Sequence, residues 1–246
     1  MSKVVLFDAV GTILKTSPGV IEVYYAHGLR HGSALDVTEI AIRFEDARRR
    51  LFDLDTSAKL QNAGQLISSD SIERALWFQL IADLFVDVTD PEPLFNELWQ
   101  FFASPDNWQL FPDTSTTFQS LKAAGYLVGI ASNFDSRLDR IVSAFPELHC
   151  ADFVFCSADI GFRKPDPAFY CAVETKIQQQ LGRELNEPIW MTGDCIENDF
   201  WGPRRHGWNA VWLDRKGHDN GKINHDVHAI TSLNSLASRI AANTCK

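Results

Sequence analysis

The sequence lacks any long uninterrupted apolar segment. Of its 246 residues 45% are hydrophobic, yet no apolar run approaches the roughly 20 residues that a membrane-spanning helix needs. The first such run, Val4–Phe7, stops at Asp8 and is too short for the apolar core of a signal peptide. We therefore expect no membrane partner and no secretory signal.

Positive charge is scarce as well. The chain has 23 Lys and Arg residues against 32 Asp and Glu residues, which gives a net charge of −9. Its longest basic run, Arg48–Arg50, stands among the acidic residues Glu45, Asp46, Asp53 and Asp55. An acidic surface without a basic stripe repels a phosphate backbone. We predict that nucleic acid is not a partner.

Cysteine is sparse, odd in number and irregularly spaced. There is no Cys-x-x-Cys pair, which disfavours a disulfide framework and a structural zinc site. The sequence predicts thiols that pack as small apolar groups, in a protein of the reducing cytoplasm. The five cysteines are Cys150, Cys156, Cys171, Cys195 and Cys245.

Hydrophobic patterning divides the chain into two kinds of sequence. Lys3–Phe7 is a short apolar run typical of a strand buried on both faces. Between Val20 and about Phe102 the apolar residues recur at helical spacing, which predicts four or five helices without strands. After Pro105, apolar strand-like runs alternate with helical segments, which indicates βαβ units and a parallel sheet.

The predicted fold is therefore α/β, with a Rossmann-like, doubly wound parallel sheet as its core and an inserted all-helical cap. We predict that residues 1–14 and 105–246 form the core domain and that residues 15–104 form the cap domain. In this arrangement the first strand belongs to the sheet but is separated from the other strands by the whole helical insert.

Polar side chains of chemical interest follow four predicted strands. Ligands of doubly wound sheets bind beyond the carboxyl ends of the strands, so these side chains should lie close together. They combine carboxylates, a hydroxyl and an ammonium group, as a phosphoryl-transfer site requires. In chain order they are Asp8, Ser132, Asn133, Lys164, Asp194 and Asp199.

Each of these residues has an expected role in such a site. Asp8 is the candidate nucleophile, and Asp8 and Asp194 together suit Mg²⁺, which prefers oxygen ligands. Lys164 would neutralise both the nucleophile and the phosphate, and Ser132 would donate a hydrogen bond to a phosphate oxygen. Asp199 would order Lys164 or the waters around the metal. Taken singly, each residue also fits a turn, a helix cap or an exposed loop, and only their shared order and spacing favours function.

These motifs resemble the haloacid dehalogenase (HAD) superfamily over essentially the whole chain. Two further stretches, Ala131–Leu138 and Trp201–Arg204, resemble one subgroup of that superfamily. The four motifs are Asp8–Thr12, the strand that ends at Ser132, Lys164 within Arg163–Pro167, and Gly193-Asp194 with Asn198-Asp199.

The resemblance implies a hydrolase that has an aspartate nucleophile, Mg²⁺ as cofactor and a C1-type helical cap inserted after the first motif. It adds the backbone carbonyl of Val10 as a third protein ligand of the metal. It also implies that Ser132, Asn133 and Lys164 bind the phosphate of a small phosphorylated metabolite.

One position departs from the superfamily pattern. Phosphatases of the superfamily carry a second Asp two residues after the nucleophile, which protonates the leaving alcohol and then activates water. This sequence has Val10 there. Acid–base assistance of this kind contributes about 10²–10⁴ in rate. We therefore predict weak phosphomonoesterase activity and a leaving group that needs little protonation, such as that of an acyl phosphate.

Two alternatives remain open at this point. L-2-haloacid dehalogenases also lack the second Asp, and they need neither an acid nor a metal because a halide leaves unprotonated. Asn133 resembles the asparagine that contacts the halide in those enzymes, although Val10 is not the aromatic residue usual there. The second alternative is a catalytically silent relative that keeps the pocket for binding. The sequence leaves the oligomeric state unspecified.

Some residues of the predicted cap are candidate substrate contacts, but the same residues can also be explained by a purely structural role. Arg43, Arg48 and Arg50 are either anion contacts or members of a solvent-exposed, salt-bridged helix face. The cap aromatics are either the core of the helical bundle or a substrate wall. They are Tyr24, Tyr25, Phe44, Trp77 and Trp99.

Overall fold

A six-stranded sheet, parallel throughout, lies at the centre of the molecule. The computed structural model describes residues 3–52, 65–217 and 228–244. The predicted α/β, Rossmann-like core is confirmed. In spatial order the strands are β5 (Phe153–Cys156), β4 (Tyr126–Ser132), β1 (Lys3–Phe7), β6 (Trp190–Gly193), β7 (Asn209–Leu213) and β8 (Ala229–Ile230).

Helices cover both faces of the sheet and fill the long insertion after β1. A π-helical turn spans Ile196–Trp201, and 3₁₀ turns span Pro105–Asn107, Pro146–Leu148 and Leu233–Ser235. The α-helices of the described residues are α1 (Val20–Arg30), α2 (Val37–Leu51), α3 (Asp70–Leu84), α4 (Pro91–Ala103), α5 (Thr114–Ala123), α6 (Arg137–Ser143), α7 (Ser157–Ile160), α8 (Pro167–Leu181), α9 (Gly202–Arg205) and α10 (Leu236–Thr244).

Strand β1 is buried on both faces, as its continuous apolar sequence predicts. Val5 and Phe7 pack into the cluster that contains Phe118 of α5. Val4 and Leu6 pack on the opposite face, in a second cluster supplied by α8. Successive side chains of a strand point to opposite faces, so a run without polar residues suits a strand covered by helices on both sides.

Helices α1–α4 form an apolar cluster of their own. The chain enters and leaves them through an antiparallel pair of short strands, β2 (Leu14–Thr16) and β3 (Trp108–Leu110). Within 20–52 and 65–102 the described chain is helical and contains no strand, as predicted. The division into a core domain and a 15–104 cap domain stays a prediction, and residues 53–64 of that span lie outside the described residues.

Several short elements differ from the sequence-based expectations. The helix expected near Asp199–His206 begins earlier, with the π-helical turn at Ile196. The strands β2, β3 and β8 were missed because two or three residues are too few to show a period. No helix of the described residues is both long and apolar enough to span a bilayer.

Asp113, just before α5, forms hydrogen bonds that link residues 215, 232 and 233, near the C-terminal end, to the core. Its carboxylate accepts hydrogen bonds from the Arg215 guanidinium (2.9 and 3.0 Å), Ser232 Oγ (2.7 Å) and Leu233 N (2.8 Å). Burial alone would raise the pKa of Asp113, but these hydrogen bonds and the Arg215 charge outweigh it and hold the pKa below its ordinary value. The ionised carboxylate therefore stabilises the fold.

We expect Asp113→Asn to lower the free energy of unfolding by about 1–3 kcal/mol at neutral pH, the range for hydrogen bonds to a charged group. Because the pKa of Asp113 is lowered in the folded state, its stabilisation is complete above the ordinary carboxyl pKa and is lost as the pH falls through the lowered value. Urea unfolding of both proteins from neutral pH to about pH 3 should therefore show the difference shrinking. A difference that is constant over this range would contradict the prediction.

Candidate active site

The predicted site residues meet at the carboxyl edge of the sheet. Asp8 follows β1, Ser132 ends β4 and Asp194 follows β6, three strands that lie side by side. Ser132 Oγ donates a hydrogen bond to Asp8 Oδ1 at 2.9 Å, and Lys164 Nζ lies 2.8 Å from the same oxygen. The structure thus brings together residues that are up to 186 positions apart, from Asp8 to Asp194.

Lys164 is the buried cation of the site. Its Nζ donates to Asp8 Oδ1 at 2.8 Å, to Asp199 Oδ1 at 2.6 Å and to the carbonyl oxygen of Ala131 at 2.9 Å. Burial alone would lower the pKa of Lys164, but the charges of Asp199 and Asp8 raise it above the ordinary value. The side chain therefore stays protonated, with all three of its hydrogens directed at acceptors.

The two oxygens of Asp8 have different surroundings. Oδ1 accepts the bonds from Ser132 and Lys164, whereas the one hydrogen bond to Oδ2 from the described residues is long, 3.4 Å, and comes from Thr12 Oγ1. Thr12, the last residue of the first motif, is a part of the site that its residue type alone does not predict. Thr12 Oγ1 also accepts a hydrogen bond from the backbone N–H of Asp194 at 3.1 Å, so it links the loops that carry the two carboxylates.

Three carboxylates converge beside this cation. One oxygen from each of Asp8, Asp194 and Asp199 lies within 4.8 Å of the other two. Asp194 lines the cavity at this edge of the sheet, yet protein atoms surround most of its carboxyl group. This burial, followed by the charges of Asp8 and Asp199, raises its pKa to about 7. Three acids facing one ammonium group leave negative charge that a divalent cation would balance, and such oxygens are the ligands that Mg²⁺ prefers.

Both oxygens of Asp199 accept hydrogen bonds of 3.1 Å or less within the protein. Oδ1 accepts from Lys164 and Oδ2 accepts from the backbone N–H of Cys195 at 3.1 Å. Burial raises the pKa of Asp199, partly offset by Lys164. Its contacts suit the predicted part of holding Lys164 in place, and they leave Asp8 and Asp194 as the acids best able to bind a metal.

Two glycines allow the loops to come this close. Gly11 has φ +86°, and a Cβ at this position would collide with the Asp194 carboxylate. At Gly193 a Cβ would collide with Asp199. Glycine is the residue that adopts positive φ without strain and lets neighbouring chains approach closely.

Asn133 positions the loop that carries Lys164. Its Nδ2 donates to the Lys164 carbonyl oxygen at 2.9 Å, and its Oδ1 accepts from the Lys164 backbone N–H at 2.7 Å. Both polar ends of the Asn133 side chain are therefore used within the protein. A direct contact between Asn133 and substrate stays a prediction.

The reaction-site cavity, about 710 Å³ in volume, is lined by Asp8, Ser132, Lys164, Asp194 and Asp199. Val10 lies on its wall, at the position where the superfamily pattern has its second acid. The helical insert contributes Arg48 and Trp77 to the same wall. Arg48 is paired with Glu45 at 3.1 Å, and Arg50 with Asp46 and Asp83 at 3.1 and 3.3 Å, so these two arginines are salt-bridged as the simpler interpretation predicts.

The helical insert is held over the site by buried polar contacts. Arg163, next to Lys164, forms an ion pair with Glu73 of α3 at 3.3 Å, and both side chains are largely buried. Ser68 Oγ donates to Glu73 Oε1 at 2.6 Å, and the backbone N–H of Leu66 donates to Asp166 Oδ2 at 2.6 Å. These contacts join the loop after β5 to the insert.

Comparison with known proteins identifies the family. Residues 2–207 match the model of the haloacid dehalogenase-like hydrolases. The chain belongs to that family. This hydrolase is 31% identical to the haloacid dehalogenase-like hydrolase domain-containing protein 3 of Danio rerio, over 98% of this chain and 97% of the fish protein. That protein represents the subgroup that Ala131–Leu138 and Trp201–Arg204 resemble, so the resemblance is confirmed.

Solved structures share the fold of this hydrolase across its whole length. YfnB of Bacillus subtilis, in a magnesium-bound crystal form, has a TM-score of 0.70 at 18% identity and covers 96% of this chain and 97% of its own. The L-2-haloacid dehalogenase RSc1362 has a TM-score of 0.67 at 17% identity, over 98% and 99% of the two chains. At such identities the likeness shows the fold alone and leaves the reaction undecided.

Proposed function

We propose that this hydrolase removes the phosphoryl group of a small phosphorylated metabolite, with Asp8 as nucleophile and Mg²⁺ as cofactor. The observation that carries the proposal is the placement of Lys164 Nζ, 2.8 Å from Asp8 Oδ1 and 2.6 Å from Asp199 Oδ1. An anionic nucleophile can approach an anionic phosphate only where positive charge is fixed beside both.

The described residues account for the two chemical steps. Asp8 Oδ2, which accepts a long hydrogen bond from Thr12 Oγ1, forms a bond to phosphorus, while the bond from phosphorus to the leaving oxygen breaks and that oxygen keeps the electron pair. Lys164 and Ser132 orient Asp8 and are placed to contact phosphate oxygens. Water then cleaves the aspartyl phosphate, which releases phosphate and restores Asp8.

The acidic cluster fits a magnesium ion. Asp8 and Asp194 would hold it, together with the Val10 carbonyl that the family pattern implies. When bound, Mg²⁺ supplies positive charge that offsets the carboxylates and the substrate phosphate. Burial, followed by the charges of Asp8 and Asp199, raises the pKa of Asp194, and a divalent cation beside these acids would offset the cost of ionising it. The magnesium-bound form of YfnB is a further reason to expect the ion here.

Val10 determines which leaving groups are accessible. Its apolar side chain lines the reaction site where the family's acid would stand, so the leaving oxygen departs without a proton from that position. We therefore propose an acyl phosphate or a similarly good leaving group, rather than the phosphate ester of a simple alcohol. Dehalogenation remains the second candidate, because Val10 and the fold of RSc1362 are compatible with it.

The cytoplasmic location and the absence of a nucleic-acid partner belong to the proposal as well. Burial raises the pKa of the Cys156 and Cys195 thiols to about 12, which keeps them protonated and unreactive. For these two residues that agrees with the predicted role of the cysteines as packing residues, whereas Cys171 is exposed.

Trapping with beryllium fluoride tests the proposal. In the presence of Mg²⁺, ¹⁹F NMR should show a protein-bound fluoroberyllate on Asp8, and acetyl phosphate should be hydrolysed with release of phosphate. Both signals should disappear after removal of the metal with a chelator. Chloride release from 2-chloropropionate without metal would instead establish the dehalogenase. If all three signals are absent, the chain is a silent binding relative.

Restoring the missing acid should create a phosphomonoesterase. We expect Val10→Asp to raise kcat/KM for a simple alkyl phosphate about tenfold or more, because acid–base assistance contributes about 10²–10⁴ when the group is well placed. Hydrolysis of acetyl phosphate should gain little. The matched control is Val10→Asn, because asparagine has nearly the same shape as aspartate but cannot act as a general acid. Equal gains in the two variants, or none in either, would show that the missing acid is not the reason for weak activity.

A further inference from the structure

A second, apolar cavity of about 330 Å³ opens beside the reaction site. It lies between the helical insert and the core. Aromatic rings from both parts form much of its wall, among them Tyr24, Phe44, Trp77, Trp99, Trp108 and Phe134. The volume falls within the range of small-molecule sites, about 300–1,000 Å³, and about 150 Å³ already accepts a benzene ring.

The two cavities share part of their walls. The residues that line both of them are Val10, Arg48, Trp77 and Asn133. Val10 is two residues from Asp8, so a phosphoryl group facing Asp8 directs its leaving group past Val10. A leaving group larger than a few atoms therefore extends toward the apolar cavity.

The charged groups at this cavity are already paired. The guanidinium of Arg137 lies 3.4 Å from the centroid of the Trp99 ring, bonds to the carboxylate of Asp135 at 2.7 Å and donates to the Trp99 carbonyl oxygen at 3.1 Å. Arg48 is paired with Glu45. The cavity consequently presents ring faces and apolar edges, which favour a flat apolar group over a sugar or a second anion.

From this geometry we infer that the leaving group carries an aromatic ring, so that the substrate is an aromatic acyl phosphate or an aryl phosphate. The inference rests on the proposed function. In the first step the Asp8 oxygen bonds to phosphorus, the bond from phosphorus to the leaving oxygen breaks, and the product departs as a carboxylate or phenolate. Such an anion needs no proton, in agreement with Val10, and its ring occupies the apolar cavity.

Comparison of benzoyl phosphate with acetyl phosphate tests the inference directly. Both release a carboxylate, so the reacting bond is nearly the same and the ring is the main difference. We expect kcat/KM for benzoyl phosphate to be at least about tenfold higher, because burial of a ring in an apolar site favours binding by that factor or more. Equal values, or a preference for acetyl phosphate, would overturn the inference.

A cavity-filling variant locates the effect. Val20, partly buried at the start of α1, lines the apolar cavity, and Val20→Phe should lower the ratio of kcat/KM for benzoyl over acetyl phosphate about tenfold. The matched control is Val86→Phe, the same change at a side chain that is 68% exposed, which should leave the ratio unchanged. An unchanged ratio in a folded Val20→Phe protein contradicts this assignment of the cavity.

A binding measurement separates failure of this inference from failure of the proposed function. Phenylphosphonate and methylphosphonate, titrated in the presence of Mg²⁺, can be followed by the fluorescence of Trp77, Trp99 and Trp108, which line the cavity. We expect Kd to be about tenfold lower for the phenyl compound. If neither acyl phosphate is hydrolysed, the proposed function fails, while a phenyl preference still supports an aromatic site. Equal binding of the two phosphonates overturns the aromatic site even if phosphatase activity is found.

Discussion

Asp8→Asn should lower kcat for acyl phosphate hydrolysis by at least about 10⁴-fold, the scale seen when a covalent nucleophile is removed. An amide keeps nearly the shape of the carboxylate, and its oxygen can still accept the bonds that Ser132 and Lys164 now donate to Asp8 Oδ1. It lacks the charge and nucleophilicity needed to attack phosphorus. The variant should therefore fold, bind the phosphonate probes and fail to turn over.

Three measurements check this expectation: steady-state phosphate release, the ¹⁹F signal of trapped fluoroberyllate, and thermal unfolding. The control is Asp106→Asn, the same change at an exposed residue before β3, which should leave activity intact. The expected residual activity of Asp8→Asn is far below one per cent. If the variant retains more than about one per cent of the activity of the unaltered protein, Asp8 is not the nucleophile.

Lys164→Met should cost about 3–5 kcal/mol of unfolding free energy, because it leaves buried carboxylates without their cation. In the folded protein Lys164 Nζ bonds to both Asp8 and Asp199, and its own side chain is 1% exposed. Methionine fills a similar volume, so the loss reports mainly on charge and hydrogen bonding. Turnover should also fall sharply, because the fixed positive charge 2.8 Å from the nucleophile Asp8 would be lost.

The loss of stability in Lys164→Met should depend on pH in a defined direction. The charge of Lys164 lowers the pKa of Asp199 in the folded protein, so without Lys164 this pKa rises and protonation at lower pH relieves the unpaired charge. The destabilisation should therefore be smaller at about pH 5 than at about pH 8 in urea unfolding. The raised pKa of Lys164 keeps it charged in the unaltered protein throughout this range.

The control for this variant is Lys122→Met. Lys122 forms an ion pair with Asp152 at 2.7 Å, but both side chains are partly exposed, and such pairs contribute about 1 kcal/mol or less. A second variant, Lys164→Met combined with Asp199→Asn, should recover part of the lost stability because it removes one of the unpaired charges. Equal losses in the two lysine variants would mean that Lys164 is not the buried counter-charge described here.

Much of the site was predictable because each residue follows a recognisable local pattern. Asp8 directly follows a short apolar strand, and Ser132 and Asp194 end or follow two others, so the rule for parallel sheets places all three at one edge. The replacement at Val10 is likewise visible in the sequence, since it depends only on the distance from Asp8. These inferences need no knowledge of how the helical insert packs.

Other features could not be predicted from the sequence, because they depend on contacts between segments that are far apart along the chain. Asn133 was predicted to contact substrate, yet its side chain bonds twice to the backbone of Lys164, 31 residues away. The bridging role of Thr12 depends on the backbone N–H of Asp194, 182 residues away. For the aromatic residues of the helical insert, the sequence predicts either bundle core or substrate wall. Tyr24 belongs to the apolar cluster of the insert and also lines the apolar cavity, and its contact with substrate stays a prediction.

By itself the sequence determined the order of the longer strands and helices, the family, the candidate reacting groups and the absence of an acid at Val10, because each of these is encoded by residues near one another along the chain. Only the tertiary structure decided which oxygen of Asp8 has the weaker hydrogen bonding. It also decided that Asp199 accepts a hydrogen bond from Lys164 and that an aromatic cavity adjoins the site. Such features arise when segments such as those around Val10, Trp99 and Arg137 are packed against one another. Because these segments are far apart along the chain, the sequence pattern does not reveal that they are close in space.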